Sequence, residues 1–432
     1  MTITVDEWLE LAPKPRPRKP GQQWDVFLSY RSIHRPWVIQ LYDVLRHLGY
    51  EVFLDQYVLS SAEPLVQSLD EGLAQSASGV LIWSNSYSDS EWCKSEYYAM
   101  VTRRRRDREF FFVVTKLDDV QLPPMAEEML FTDFSAFREG PRGNGLLLLL
   151  YGLKGEAPPD PVVRLAVKVD EEVRDTLNQI IGYSSVGDYE GLMELAGRET
   201  TAWLTTPMLG SNVAESLIAL KRYDDALALL EKLRGRFPKA IRPRQLQGLA
   251  LARKGDWRAA QSLLSVLYAE GERDPETLGI LARTWKDRYK QSEDPIHLTK
   301  SRDHYAEAFE GAPDDSYTGI NAASMSVLLE EFDAAERYAE RVEKLVGIEA
   351  PTKKNLTVSN RYWETATVAE VQLIRRNYER AAALYKAAVS VWPDATGSHE
   401  STRDQARLLM DKLAPPPEER DKIERAFKHL KK

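Results

Sequence analysis

Trp92 and Glu96 are the two residues of this sequence best suited to chemistry on a small molecule. They lie four positions apart in the segment SYSDSEWCKSEYYAM, so a helix would place both on one face. An indole ring can stack on an aromatic ligand, and a carboxylate beside it can stabilise positive charge that develops during a reaction. The competing interpretation is that Glu96 is a solvated helix residue and that Trp92 serves only in packing.

Other polar residues directly follow the predicted strands. These residues are Ser29, Tyr30, Arg31, Asp55, Gln56, Ser84 and Asn85. Ligands of open parallel sheets bind beyond the carboxyl ends of the strands. We therefore expect this set to lie at the same edge as Glu96, whose helix would be capped by Asp89 or Ser90.

Strand and helix patterns alternate through the first third of the chain. Short apolar runs indicate the strands, and apolar residues at helical spacing indicate the helices. The predicted strands are 26–28, 51–54, 79–83, 110–114 and 131–137, and the predicted helices are 37–48, 65–75, 90–105 and 146–153. This alternation predicts an α/β fold in which helices cover a parallel sheet.

Three segments of this region resemble the signature segments of TIR domains. They read DVFLSYR, GYEVFLD and SDSEWCKSE, in that order along the chain. The resemblance covers about residues 24–153 and implies a flavodoxin-like fold. Many TIR domains cleave NAD+ at the nicotinamide bond with a glutamate on the third helix, whereas others only assemble signalling complexes.

The resemblance also implies roles for particular residues. Glu96 falls at the position of the catalytic glutamate. The residues that would line the dinucleotide pocket are Phe27, Tyr30, Arg31 and Trp92. One carboxylate is enough for this reaction, because nicotinamide leaves its cationic form as a neutral molecule and needs no general acid. NAD+ is thus expected as the substrate, with no separate cofactor and no metal.

After a proline cluster at 158–161 the pattern becomes helical and repetitive. Three similar segments recur at intervals of 34 residues, and they contain Tyr189, Tyr223 and Trp257. This is the tetratricopeptide period, and each aromatic residue is predicted to open the second helix of its unit. Phe332 and Tyr378 repeat the theme at a different spacing. The alternative is accidental amphipathic periodicity.

Two longer segments resemble the tetratricopeptide-type TRAFs-binding region: SYTGINAASMSVLLEEFDAAERYAERV and YWETATVAEVQLIRRNYERAAALYKAAV. This resemblance covers about residues 165–413 and implies an all-α solenoid, whose concave surface suits a protein or peptide partner. Residues 1–23, which precede the first domain, are interpreted as a leader with a Pro/basic linker. Residues 414–432 are interpreted as a charged C-terminal helix or tail.

Composition and motifs narrow the functional class. The formal net charge is −8 with both signs interspersed, so neither nucleic acid nor a membrane surface is expected as a partner. Cys93 is the only cysteine, which excludes an internal disulfide and favours a cytoplasmic location. The longest aliphatic run, 146–150, is too short to span a bilayer. No metal-ligand spacing and no phosphate-binding GxxxxGK[ST] run is present.

Three functions follow as hypotheses. The first is a TIR NAD+ glycohydrolase that yields nicotinamide and ADP-ribose or a cyclic isomer, activated by self-association or by a trigger that the repeats sense, in bacterial anti-phage immunity. The second is a non-enzymatic signalling adaptor. Ala62 favours it slightly, because it replaces the glycine of a loop that mediates assembly in the family. The third is a nucleoside-processing enzyme of the same fold, against which the TIR segments argue.

Overall fold

The computed structural model describes residues 11–31, 34–54, 65–88, 91–122, 131–135, 141, 143–198, 207–238, 240–351 and 357–430. The chain divides into two compact units, Met1–Glu272 and Arg273–Lys432. No helix among the described residues is long and apolar enough to cross a membrane.

The first unit begins with a five-stranded sheet in which all paired strands are parallel. The strands are β1 (Trp24–Ser29), β2 (Val52–Phe53), β3 (Ser76–Trp83), β4 (Phe111–Lys116) and β5 (Phe131–Asp133), in the spatial order β2-β1-β3-β4-β5. The helices between them are α1 (Arg35–His47), α2 (Leu65–Ala74), α3 (Asn85–Ser88), α4 (Glu91–Arg106) and α5 (Gly143–Lys154). This order is flavodoxin-like, and it confirms the predicted α/β fold.

Helices cover both faces of the sheet, as a parallel sheet requires. One face packs against α2 and α4, where Phe27 stacks on Phe53 with ring centroids 5.1 Å apart. On α1, Trp37 contacts Phe134, which follows β5. All eight residues of β3 are buried, so this central strand forms the middle of the core.

The predicted elements are present with shifted ends. β3 begins at Ser76, three residues before the predicted start, because the hydroxyls of Ser76 and Ser78 donate to the backbone oxygens of Gly72 and Asp25. These bonds let polar residues enter a buried strand. The short helix α3 follows β3 directly and was not predicted.

The proline-rich stretch before β1 has no helix or strand over residues 13–19, and it packs on the sheet. The Arg16 guanidinium donates to the backbone oxygen of Glu109 at 2.9 Å and lies over the ring of Phe111. The Tyr50 hydroxyl donates to the backbone oxygen of Pro13 at 2.6 Å. This part of the chain is therefore held against the domain over much of its length.

Among the described residues of the first unit, only helices follow α5. They are α6 (Asp160–Val186), α7 (Tyr189–Ala196), α8 (Pro207–Ala219), α9 (Tyr223–Arg236), α10 (Ile241–Lys254) and α11 (Trp257–Ala269). Tyr189, Tyr223 and Trp257 each open the second helix of a pair, as predicted. The turns before them share a left-handed residue at 34-residue intervals: Gly187, Lys221 and Gly255.

The regular elements of the second unit are also all helices in the part of it that the structure describes. Its helices are α12 (Pro275–Ser292), α13 (Pro295–Gly311), α14 (Ser316–Leu328), α15 (Phe332–Val346), α16 (Val358–Ile374), α17 (Tyr378–Val391), α18 (Thr396–Leu413) and α19 (Pro417–Arg425). Phe332 and Tyr378 open helices, as predicted. Ile423 and Phe427 are buried against the helical core, so residues near the C-terminus close this unit. The predicted domain boundaries at 153, 165 and 413 remain predictions.

Candidate functional site

The candidate site lies at the carboxyl edge of the sheet, where the strand order changes direction between β1 and β3. Ligands of open α/β sheets bind at this switch point. Ser29 is the last residue of β1, and Ser84 follows the last residue of β3. The two serines therefore mark the two sides of the crevice.

Glu96 reaches this edge from the second turn of α4. Its half-buried carboxylate accepts a short hydrogen bond from the hydroxyl of Ser29. Alternate strand residues share one face of a sheet, so Ser29 and Phe27 both point towards the helices that include α4. The alternation along β1 therefore brings Ser29 to Glu96.

Tyr87, on α3, completes this contact. Its hydroxyl lies 2.6 Å from the Ser29 hydroxyl and 2.8 Å from the backbone oxygen of Cys93, to which it donates. The side chain is fully buried. Burial raises the pKa of Tyr87 well above its usual value, and the negative charge of Glu96 adds to the effect. Tyr87 is therefore a protonated donor at neutral pH.

Tyr30 and Arg31 occupy the same edge just after β1. The Tyr30 hydroxyl accepts a short hydrogen bond from the buried guanidinium of Arg35, at the start of α1. The Nε atom of Arg31 is buried and has no hydrogen-bond partner within the described residues. A guanidinium with an open donor suits an anionic ligand group.

His34 links the start of α1 to the end of β3. Its Nε2 lies 2.7 Å from the hydroxyl of Ser84, which also accepts from the backbone N–H of Tyr87. Burial lowers the pKa of His34 despite the opposing charge of Asp118. The ring is therefore neutral at pH 7, and it helps fix the turn that carries Tyr87.

Several predicted site residues are placed by the structure. Glu96, Tyr30 and Arg31 lie at the same sheet edge, whereas Phe27 is 1% exposed and packs inside the core. Trp92 lies on α4 one turn before Glu96, but its side chain is outside the described part of the structure. Asp55, Gln56, Ala62, Asp89 and Ser90 also lie outside the described residues.

Of the two residues that hold Glu96, Ser29 was expected at this sheet edge because it follows the first predicted strand, whereas Tyr87 was not singled out from the sequence. The Ser29 hydroxyl is identified by the strand period, which places it on the face of the glutamate helix. Tyr87 directly precedes the signature segment that contains Trp92, yet nothing in its spacing shows that its hydroxyl turns inward.

A second polar cluster joins the sheet domain to the repeats within the first unit. Asp43 of α1 accepts from the backbone N–H groups of Ile241 at 2.7 Å and Arg242 at 3.3 Å, at the start of α10. Its side chain supplies a cap for that helix from another element. Burial raises the pKa of Asp43 to about 7, although these two hydrogen bonds lower it. His47 and Phe237 pack beside it with ring centroids 4.8 Å apart.

A third polar cluster lies within the second unit and joins α12, α14, α16 and α18. Gln405 accepts from the Lys286 ammonium at 2.6 Å and donates to Glu370 at 3.0 Å. Ser324 donates a short hydrogen bond to the same carboxylate. Burial raises the pKa of Glu370 and lowers the pKa of Lys286 to about 8. The cluster ties together one helix from each of four successive pairs.

Comparison with known families agrees with both halves of this architecture. Residues 26–146 match the family model described as TIR domain, and residues 222–326 match the model described as Tetratricopeptide Repeats-Sensor. The chain therefore carries a TIR domain followed by tetratricopeptide-type repeats.

Curated relatives match the TIR region alone. The 2′ cyclic ADP-D-ribose synthase BtTIR of Bacteroides thetaiotaomicron is 31% identical over 86 residues, which are 20% of this chain and 30% of that protein. The NAD(+) hydrolase TcpA of Theionarchaea archaeon (strain DG-70-1) is 27% identical over 82 residues, 19% of this chain and 25% of that protein. The matches thus span less than a third of each relative.

The repeats are similar to solved structures of tetratricopeptide proteins. A thermophilic tetratricopeptide protein of Thermus thermophilus is 19% identical and has a TM-score of 0.37. The match covers 46% of this chain and 98% of that one.

Proposed function

We propose that the TIR domain cleaves NAD+ at the bond between nicotinamide and ribose, with Glu96 as the catalytic carboxylate. One observation carries the proposal: the Glu96 carboxylate is held by Ser29 at the switch point of the sheet. Relatives matched over this domain are named as enzymes that hydrolyse NAD+ or make cyclic ADP-ribose. These names support the substrate class.

The reaction requires little from the protein beyond placing one negative charge. The bond between the ribose C1′ and the pyridinium nitrogen breaks, and its electron pair neutralises the pyridinium. The ribosyl group then carries positive charge, which the Glu96 carboxylate stabilises. Arg31 pairs with the pyrophosphate through its open donor, and Trp92 stacks on an aromatic ring of the substrate.

The second half of the reaction decides the product. Water attacking C1′ loses a proton and gives ADP-ribose. A hydroxyl of the adenosine ribose attacking C1′ also loses a proton, and it gives a cyclic isomer. The two relatives are named for a cyclic synthase and a hydrolase, so both products should be measured.

The repeats control this activity, either by sensing a trigger or by bringing TIR domains together, in a defence response that depletes NAD+ during phage infection. Support comes from the contact of Asp43 with the start of α10, which links a helix of the TIR domain directly to the repeats. Solenoid repeats are suited to protein or peptide partners through their extended surfaces.

The proposal is tested by measuring nicotinamide release from NAD+ by the concentrated full-length chain with a crowding agent. Glu96→Gln removes the negative charge and keeps the shape. We expect it to reduce the rate on the order of 100-fold or more, as for loss of a major electrostatic contact. Glu109→Gln is the matched control, because Glu109 is exposed and precedes β4 at the opposite edge of the sheet.

Each outcome has a definite meaning. Nicotinamide release by wild type and Glu109→Gln, but not by Glu96→Gln, supports the enzyme and the residue. Equal rates in all three proteins would assign the chemistry to other residues. No release in vitro, together with unchanged NAD+ in phage-infected cells that express the protein, would favour the adaptor.

A further inference from the structure

The Glu96 carboxylate belongs to a chain of hydrogen bonds whose other members are buried. Ser29 is 1% exposed and Tyr87 is fully buried. The chain runs from the Tyr87 hydroxyl to the Ser29 hydroxyl over 2.6 Å, and from there to Glu96. An interior chain of this kind fixes its members, because bulk water does not compete for the bonds.

The donor and the acceptor in each of these hydrogen bonds follow from counting the available protons. An ionised carboxylate has no proton, so the single proton of Ser29 goes to Glu96. The Ser29 oxygen can then only accept from Tyr87, whose pKa lies well above its usual value because of burial. Tyr87 thus shares its proton between Ser29 and the backbone oxygen of Cys93.

Tyr87 holds the glutamate in a second way. Cys93 precedes Glu96 by three residues on α4, so the bond from Tyr87 to the Cys93 oxygen fixes the first turn of the helix that presents the carboxylate. The Tyr87 ring is itself held by Trp83, with ring centroids 5.1 Å apart. The hydroxyl therefore contacts both the partner of the carboxylate and the backbone that carries it.

We infer that Ser29 and Tyr87 are positioning residues that hold the Glu96 carboxylate in its working orientation for NAD+ cleavage. This inference rests on the proposed function. Without the Ser29 hydroxyl the carboxylate loses a buried donor that helps to orient it. Without the Tyr87 hydroxyl both Ser29 and the start of α4 lose a fixed contact.

The test uses steady-state NAD+ cleavage by the full-length chain, with kcat and KM measured separately. Ser29→Ala and Tyr87→Phe each remove one hydroxyl and keep the packing. We expect kcat to fall on the order of 10- to 100-fold, since a misplacement of about 1 Å costs up to about 100-fold. KM should change little, because the substrate is bound by other groups. Ser29→Ala combined with Glu96→Gln should be no slower than Glu96→Gln alone.

Two control variants separate positioning from general loss of stability. Ser78→Ala removes a buried serine hydroxyl of β3 that donates to the backbone oxygen of Asp25 at 2.6 Å. Tyr50→Phe removes a buried tyrosine hydroxyl that donates to the backbone oxygen of Pro13. Both lie away from Glu96, and we expect both to keep the wild-type kcat.

The outcomes distinguish the inference from the function on which it rests. Wild-type kcat in Ser29→Ala and Tyr87→Phe, with Glu96→Gln inactive, would overturn the inference and leave the proposed function standing. An equal loss of kcat in the two controls would also overturn it. Full activity of Glu96→Gln would instead overturn the assignment of Glu96. Should Ser29→Ala fail to fold, Tyr87→Phe decides the matter by the same measurements.

Discussion

Replacing Asp43 by asparagine is expected to change how the stability of the first unit depends on pH. The carboxylate is 2% exposed and accepts two backbone N–H groups at the start of α10. Charged neighbours that act on it are Arg46 of its own helix and Arg244 of α10. Asparagine keeps one acceptor oxygen, but it neither ionises nor binds a proton.

The size of the effect follows from the pKa of Asp43, which burial raises from its usual 3.8 to about 7. A raised pKa means that the folded state binds the proton more tightly. Binding of this proton stabilises the folded state. The stabilisation is fully present below the pKa that Asp43 has in the unfolded chain, and it is lost as the pH rises through the folded-state pKa of about 7. The loss is about 1.4 kcal/mol per pH unit between pH 5 and the pKa of about 7, and it levels off above that pKa. The wild type should therefore lose about 3 kcal/mol of stability between pH 5 and pH 8 through this one group.

Two measurements check this expectation. Urea unfolding of the full chain at several pH values gives the difference in stability between wild type and Asp43→Asn. Hydrogen exchange of the α10 peptide, corrected for the intrinsic rate at each pH, reports the same contact locally. The control is Asp256→Asn, since Asp256 caps α11 through the N–H of Ala259 at 3.1 Å but is exposed.

The expected pattern is specific. As the pH rises from 5 to 8, the unfolding free energy of wild type should fall, whereas that of Asp43→Asn should not fall through this position. The variant should therefore become more stable relative to wild type. The Asp256→Asn protein should follow the wild type over this range. A difference that stays constant with pH for Asp43→Asn would show that this carboxylate does not titrate in the folded protein, and the reasoning from burial would fail.

Two further predictions concern the repeats. Lys286→Met and Glu370→Gln should each destabilise the second unit by about 2 kcal/mol, as expected for loss of one member of a charged hydrogen-bonded cluster, and the double variant should lose less than the sum. Chemical denaturation of the four proteins checks this, and strict additivity would contradict it. Lys221→Gly should stabilise the first unit by about 1 kcal/mol, because a left-handed backbone is strained with a side chain. Gly255→Lys should do the opposite by a similar amount, and equal melting temperatures would refute the argument.

The sequence predicted the elements well where one physical signal dominated. The repeats are an example, since the 34-residue spacing placed Tyr189, Tyr223 and Trp257 at helix starts, where the structure has them. β3 shows the opposite case. Its first residues include Ser76 and Ser78, and polar side chains do not indicate a buried strand in a sequence. Their hydroxyls are hydrogen-bonded to backbone oxygens, which only the structure shows.

The candidate site was predicted in part. Glu96 and Arg31 could be placed at one sheet edge, because strand ends in a parallel sheet converge there. The Tyr87 hydroxyl could not be found in this way. Its inward direction depends on α3, a helix of four residues that starts directly after the strand and has too few residues for periodicity to show. Helix patterns become readable only over longer windows.

The contact of Asp43 with α10 could not be predicted from the sequence either. The partners lie about 200 residues apart, and an aspartate within an amphipathic helix is normally solvated. Yet this contact gives α1 a dual role. The helix begins at Arg35, which donates to Tyr30 at the sheet edge, and eight residues later it presents Asp43 to the repeats. At 1.5 Å per residue these points are about 12 Å apart along one rigid element. α1 therefore contacts both the start of α10 and the sheet edge at which Glu96 lies.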